Sequence, residues 1–128
     1  MKLTKNFNKS EFDCSCNCEM PKKVLDNIKI LAEQLQAIRT ISEQPIQINS
    51  AYRCAKHNKA IGGVKNSQHV LGKAADIVIK EHTAEETYKL LDELMHYKTI
   101  LQGGLGKYNS FTHYDIRGTE ARWDFTKK

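Results

Sequence analysis

The chain of 128 residues has no apolar run long enough to cross a membrane, so a spanning helix is excluded. The opening Met1-Lys2-Leu3-Thr4-Lys5-Asn6 is basic, but no apolar stretch follows it, and no secretory signal peptide is expected. Repeats, low-complexity tracts and linker-like segments are missing too. The length then suits one domain over residues 1–128, expected as a monomer. Aromatic–basic interleaving is absent, and Lys22-Lys23 and Lys127-Lys128 are the only lysine doublets. Nucleic acid is therefore not an expected partner. The net charge of +5 serves solubility and also suits attraction to an anionic polymer. Cysteine is scarce, and no Cys-His-Asn order recommends a thiolate nucleophile at Cys54.

What is present reads as a mixed fold. Residues 1–20 are polar and carry three of the four cysteines, which predicts a loop or short turn leading in. Pro21 opens a helix. Val24, Leu25, Ile28, Leu31, Ala32, Leu35 and Ile38 recur at helical spacing along it. Ile46-Gln47-Ile48 alternates as a strand, and Asp76-Ile77-Val78-Ile79 reads as another. Residues 51–75 are irregular and suit a site-forming loop. Thr83 and Glu86 make a capping box for a helix running to about His96. Gly103-Gly104-Leu105-Gly106 is read as a turn into a last strand, where Phe111, His113 and Asp115 share one face. The fold class is α+β, a small antiparallel sheet with helices packed on one face.

Chemistry concentrates in Ser67-Gln68-His69-Val70-Leu71-Gly72-Lys73-Ala74-Ala75-Asp76 and in the later His113-Tyr114-Asp115. His69, Asp76 and His113 can supply three ligands to one zinc ion. Three protein ligands leave a tetrahedral position for water, the arrangement of a catalytic zinc. His57, His82 and His96 lack partners at ligand spacing and are read as solvent-facing or structural.

The surrounding residues carry a resemblance. Ser67, His69, Gly72, Ala74 and Asp76 fill the fixed positions of Ser-x-His-x-x-Gly-x-Ala-x-Asp, the motif of the M15 zinc peptidases. That family comprises D-Ala-D-Ala carboxypeptidases and murein endopeptidases. Ile48-Asn49-Ser50-Ala51-Tyr52-Arg53 resembles the family's strand and Ser-Gly-Tyr-Arg turn, with Ala51 where glycine is usual. Phe111-Thr112-His113-Tyr114-Asp115-Ile116-Arg117 resembles its Phe-x-His-x-Asp-x-Arg strand, and Ala121-Arg122-Trp123 its ending.

The resemblance implies a hedgehog and D-Ala-D-Ala peptidase-like fold, zinc as cofactor and a peptidoglycan peptide as substrate. With no leader, action on the wall implies another exit, such as phage-mediated release. The alternative is a non-catalytic wall-binding or phage structural module that keeps the zinc-site fold. Several family members place Asp or Glu three residues before the last zinc histidine. Ser110 stands there in this chain, and a serine hydroxyl is no base near neutral pH. Asp115 is the substitute, either as general base or as an anchor that orients a ligand histidine or pairs with Arg117. Arg53 matches an arginine that holds substrate carboxylate or stabilises an oxyanion, which suits a planar, permanently charged fork. Ser67 and Tyr108 are further candidates for contacting substrate.

Cys14, Cys16 and Cys18 alternate, and Cys54 follows Arg53 directly. A disulfide between i and i+2 cysteines is strained, so any disulfide should join Cys54 to the cluster. A second, structural zinc and free thiols are the other readings, and a structural link, by disulfide or by zinc, is the favoured one. In each linked case the lead-in segment is tied to the loop bearing Arg53.

Overall fold

The computed structural model describes residues 1–127; Lys128, half of the terminal lysine doublet, lies outside them. The lead-in forms a 3₁₀ turn, Lys9–Phe12. Helix α1 spans Lys22–Ser42, α2 Ala55–Ala60 and α3 Ala84–His96. Strands are β1 (Ile46–Ser50), β2 (Ala74–Ile79), β3 (Gly104–Lys107), β4 (Thr112–Asp115) and β5 (Ala121–Asp124), in the sheet order β1-β2-β4-β3-β5.

Helix α1 begins after Pro21, whose fixed φ and missing N–H are harmless at a helix entrance. It ends at Glu43, a left-handed residue with φ 57°. Its stripe from Val24 to Ile38 is buried at each helical repeat. Helix α3 carries the capping box, with Thr83 Oγ1 accepting from the Glu86 N–H at 3.0 Å and Glu86 accepting from the Thr83 N–H at 2.8 Å. Ala75, Ile77 and Ile79 of β2 join Tyr114, Leu105 and both helices in one core. The next residue in each strand turns to the other side, as the two-residue pleat requires. Asp76 and His113 stand there.

Three features depart from the sequence reading. Gly104-Leu105-Gly106 is part of a strand, and its glycines serve close approach instead of a turn. A Cβ on Gly104 would collide with the Asp115 carboxylate, and one on Gly106 with the Trp123 indole. In addition, the chain does not end on the histidine strand. A turn through Gly118 steps over β3 and lays β5 along its outer edge. β5 therefore runs antiparallel to β4 and parallel to β3, the single parallel pairing of the sheet among the described residues. The lead-in is also more ordered than a plain loop, because Phe7 and Phe12 are buried and the Phe12 carbonyl accepts from the Tyr52 N–H at 3.0 Å. No helix is long and apolar enough to cross a membrane among the described residues.

Leu35 is fully buried in the core, away from the sheet face that carries Asp76. Leu35→Ala is expected to cost about 2–5 kcal/mol of unfolding free energy in urea titration. A loss below about 1 kcal/mol would mean that α1 contributes little to this core.

Candidate metal centre

Strand register brings the first two side chains together. Asp76 of β2 lies directly opposite His113 of β4, and His113 opposite Gly106 of β3, which pairs in turn with Trp123 of β5. One row across the sheet thus sets a carboxylate, an imidazole and an indole side by side. The His113 ring is 5.0 Å from the Trp123 ring, a distance that the bare Gly106 allows. The second imidazole comes from the irregular segment. His69 precedes β2, and its backbone is pinned on both sides. The Ser67 hydroxyl accepts from the His69 N–H at 3.1 Å, and the His69 carbonyl accepts from the Arg53 N–H at 3.1 Å.

Each imidazole has one nitrogen committed. His69 Nδ1 is 2.7 Å from the Ala51 carbonyl oxygen, which can only accept, so this nitrogen carries the proton. His113 Nε2 is 2.7 Å from Asp115 Oδ2 and donates to it. The remaining nitrogens, His69 Nε2 and His113 Nδ1, both face Asp76 Oδ1, at 3.3 and 3.1 Å. Two lone pairs aimed at a carboxylate oxygen repel unless a cation or protons lie between them. A tetrahedral zinc with bonds near 2.0–2.1 Å spaces its donors by about 3.3 Å, so this donor set fits the ion. Burial by itself would raise the Asp76 pKa and lower that of His113. Hydrogen bonds outweigh it in both: those with His113 and His69 hold Asp76 below the usual carboxylate range, and those with Asp115 and Asp76 hold His113 above the usual imidazole value. Positive charge is thus favoured at this point of the sheet.

Asp115 stands on the ring nitrogen of His113 that faces away from Asp76. Its carboxylate is fully buried on the other ring nitrogen of His113. It accepts five hydrogen bonds, from the Gly104 N–H, the Arg117 N–H, Arg117 Nε and Nη2, and His113 Nε2. The alternation that put Asp115 on the histidine's face holds, but the Arg117 fork and Gly104 take up its oxygens. Its pKa lies below the usual range. Burial would raise it, and the bonds from His113, Arg117 and Gly104 prevail.

Arg53 stands on the opposite side, with Nη2 at 3.8 Å from Asp76 Oδ2 and Nη1 at 3.1 Å from Asn58 Oδ1. Asn58 is itself buried and donates to the Val64 carbonyl at 2.8 Å. This support was not recognised in the sequence, where Asn58 was read as part of an irregular loop and not of a short helix. A cleft of about 470 Å³ opens over the site. Tyr108, Phe111, Trp123 and Phe125 form its aromatic wall, with Tyr108 and Phe111 stacked at 4.4 Å and Tyr108 Oη accepting from Trp123 Nε1 at 3.0 Å. Ser67 lines the cleft as well. Among the described residues lining it, Asp76 is the one carboxylate. His57, His82 and His96 lie outside this lining. The four cysteine sulfurs gather elsewhere, as a second cluster of groups able to hold a metal.

Residues 5–115 match the family model described as Peptidase M15, a span containing Arg53, His69, Asp76 and His113. No curated protein matches the chain.

Replacing Asp115 by Asn removes the charge that orients His113. Zinc affinity is expected to fall by about 10–100-fold, with turnover recovering at saturating zinc. A variant that binds zinc normally yet loses turnover would make Asp115 the base.

Acid should act through the same carboxylate. Its folded pKa is depressed, so its stabilising contribution is complete above the unfolded value of about 4 and is lost as pH falls below it. Metal-free protein should therefore lose stability below about pH 4, and Asp115→Asn should flatten that loss. Equal acid slopes in denaturant titrations of the two proteins would contradict it.

Proposed function

The chain belongs to the peptidase M15 family, and we propose from that premise that it is a zinc-dependent hydrolase of peptide bonds in peptidoglycan stem peptides or cross-links. The observation that carries this reading is the convergence of His69, Asp76 and His113 beneath an open cleft flanked by Arg53. Zinc bound there would polarise a peptide carbonyl and bring the pKa of its water to about 7.

The chain's own residues divide the remaining work. With zinc bound, His69 Nε2 and His113 Nδ1 would be the unprotonated nitrogens, because the other two ring nitrogens donate to the Ala51 carbonyl and to Asp115. Asp76 is the anionic ligand. Asp115 is a positioning residue, held by Arg117, and acts through His113. Arg53 sets a permanent positive charge beside Asp76, braced by Asn58, and suits a substrate carboxylate or the oxyanion of an attacked carbonyl. Ser67 fixes the backbone of His69, and Tyr108 belongs to the aromatic wall against which a peptide would lie. The positive charge of the chain favours approach to anionic wall polymers, and the cell wall is the proposed place of action.

The test is a digest of purified peptidoglycan by the zinc-loaded protein, read by mass spectrometry. New termini at stem-peptide bonds are expected, and their position identifies the bond cut. Arg53→Lys should lower kcat/KM by about tenfold or more, since one ammonium cannot replace a fork. Intact wall peptides after exposure to protein carrying zinc on His69, Asp76 and His113 would refute the reading.

A further inference from the structure

Outside the cleft lining, the sulfurs of Cys14, Cys16, Cys18 and Cys54 lie within 4.8 Å of one another. We propose that these four residues hold a second zinc ion, a structural one, which ties the lead-in segment to the loop that carries Arg53.

The distances carry this inference. Cys14 and Cys16 sulfurs are 3.2 Å apart, Cys16 and Cys54 3.4 Å, and Cys14 and Cys54 3.9 Å. A zinc ion with four thiolates at about 2.3 Å has a tetrahedral edge of about 3.8 Å. Such convergence is not what alternation delivers. In an extended strand, Cys14 and Cys18 would stand about 13 Å apart at about 3.3 Å per residue. The chain bends back instead, with Asn17 at φ 63° and its N–H bonded to the Cys14 carbonyl at 2.9 Å. Asparagine is one of the few residues other than glycine that tolerate this conformation.

Backbone donors complete the arrangement. The Cys54 N–H points at Cys14 Sγ and the His57 N–H at Cys54 Sγ, both at 3.4 Å. Such donors stabilise thiolates, the form zinc requires, and binding releases the thiol protons. A disulfide accounts for less. One bond from Cys54 would leave two thiols crowded beside it, whereas zinc uses all four.

The consequence reaches the cleft. Cys54 adjoins Arg53 and caps α2, which supplies the Asn58 that braces the guanidinium. A metal at Cys54 therefore fixes the base of the Arg53 arm. The inference does not depend on the peptidase reading, because the two sites use different donor types.

The test combines elemental analysis with cobalt(II) substitution. Purified wild-type protein should contain two zinc ions per chain. Cobalt-loaded protein should show sulfur-to-cobalt charge-transfer absorption, which imidazole and carboxylate ligands cannot produce. Cys16→Ser, at the most exposed of the four positions, should lose one zinc and that absorption. The double variant His69→Ala with His113→Ala should lose the other zinc and keep that absorption. Should these variants fail to fold, the wild-type zinc count and absorption decide alone. Cobalt-loaded wild type without thiolate absorption would overturn the proposal. So would peptide mapping of native protein that finds Cys54 in a disulfide.

Discussion

The hydrogen bond between His113 Nε2 and Asp115 Oδ2, 2.7 Å long and buried, is the contact on which the rest of the site depends. It assigns the ring proton, leaves Nδ1 toward Asp76, and sets the plane of the imidazole. Asp115 can hold that ring only because it is held in turn. Arg117 grips both its oxygens at 2.9 and 2.8 Å, and the Gly104 N–H bonds to one of them. A buried carboxylate with no such partners would take up a proton and release its grip. The glycine of β3 is therefore part of the metal centre, although it touches no ligand atom of it.

This chain of support explains what was and was not legible in the sequence. The candidate ligands were legible as a group because their spacing fits a ligand set and because their neighbours match a family motif, and the fold brings the three together. The helix α1 stripe and the Thr83 capping box were legible because each is a local pattern. Gly104 and Gly106 misled, since glycine marks both turns and places where another group must come close. Only the position of β4 beside β3 and of Trp123 beside Gly106 distinguishes the two, and that is tertiary information. Asp115 was legible only as a choice between base and anchor, for a related reason. Its face on the strand follows from alternation, while its neighbours, Arg117 and Gly104, follow from the fold. No role for Asn58 was legible, because its importance lies in a contact with Arg53 that the fold makes.

Two separate anchorages converge on the cleft. The sheet supplies Asp76 and His113, which are rigid because cross-strand pairing fixes both. The irregular segment supplies Arg53 and His69, which have no sheet beneath them. They are fixed instead by the mutual bond of their backbones, by Asn58, and by the cysteine cluster beside Arg53. A site whose charges must be in place before substrate arrives needs both kinds of support.

Anomalous diffraction at the zinc edge from crystals of the purified protein tests the central claim most directly. The account predicts a peak bonded to His69 Nε2, Asp76 and His113 Nδ1, with Asp115 on the far nitrogen of His113. Coordination through His113 Nε2, or Asp115 as a ligand or as a free group facing the metal, would contradict it.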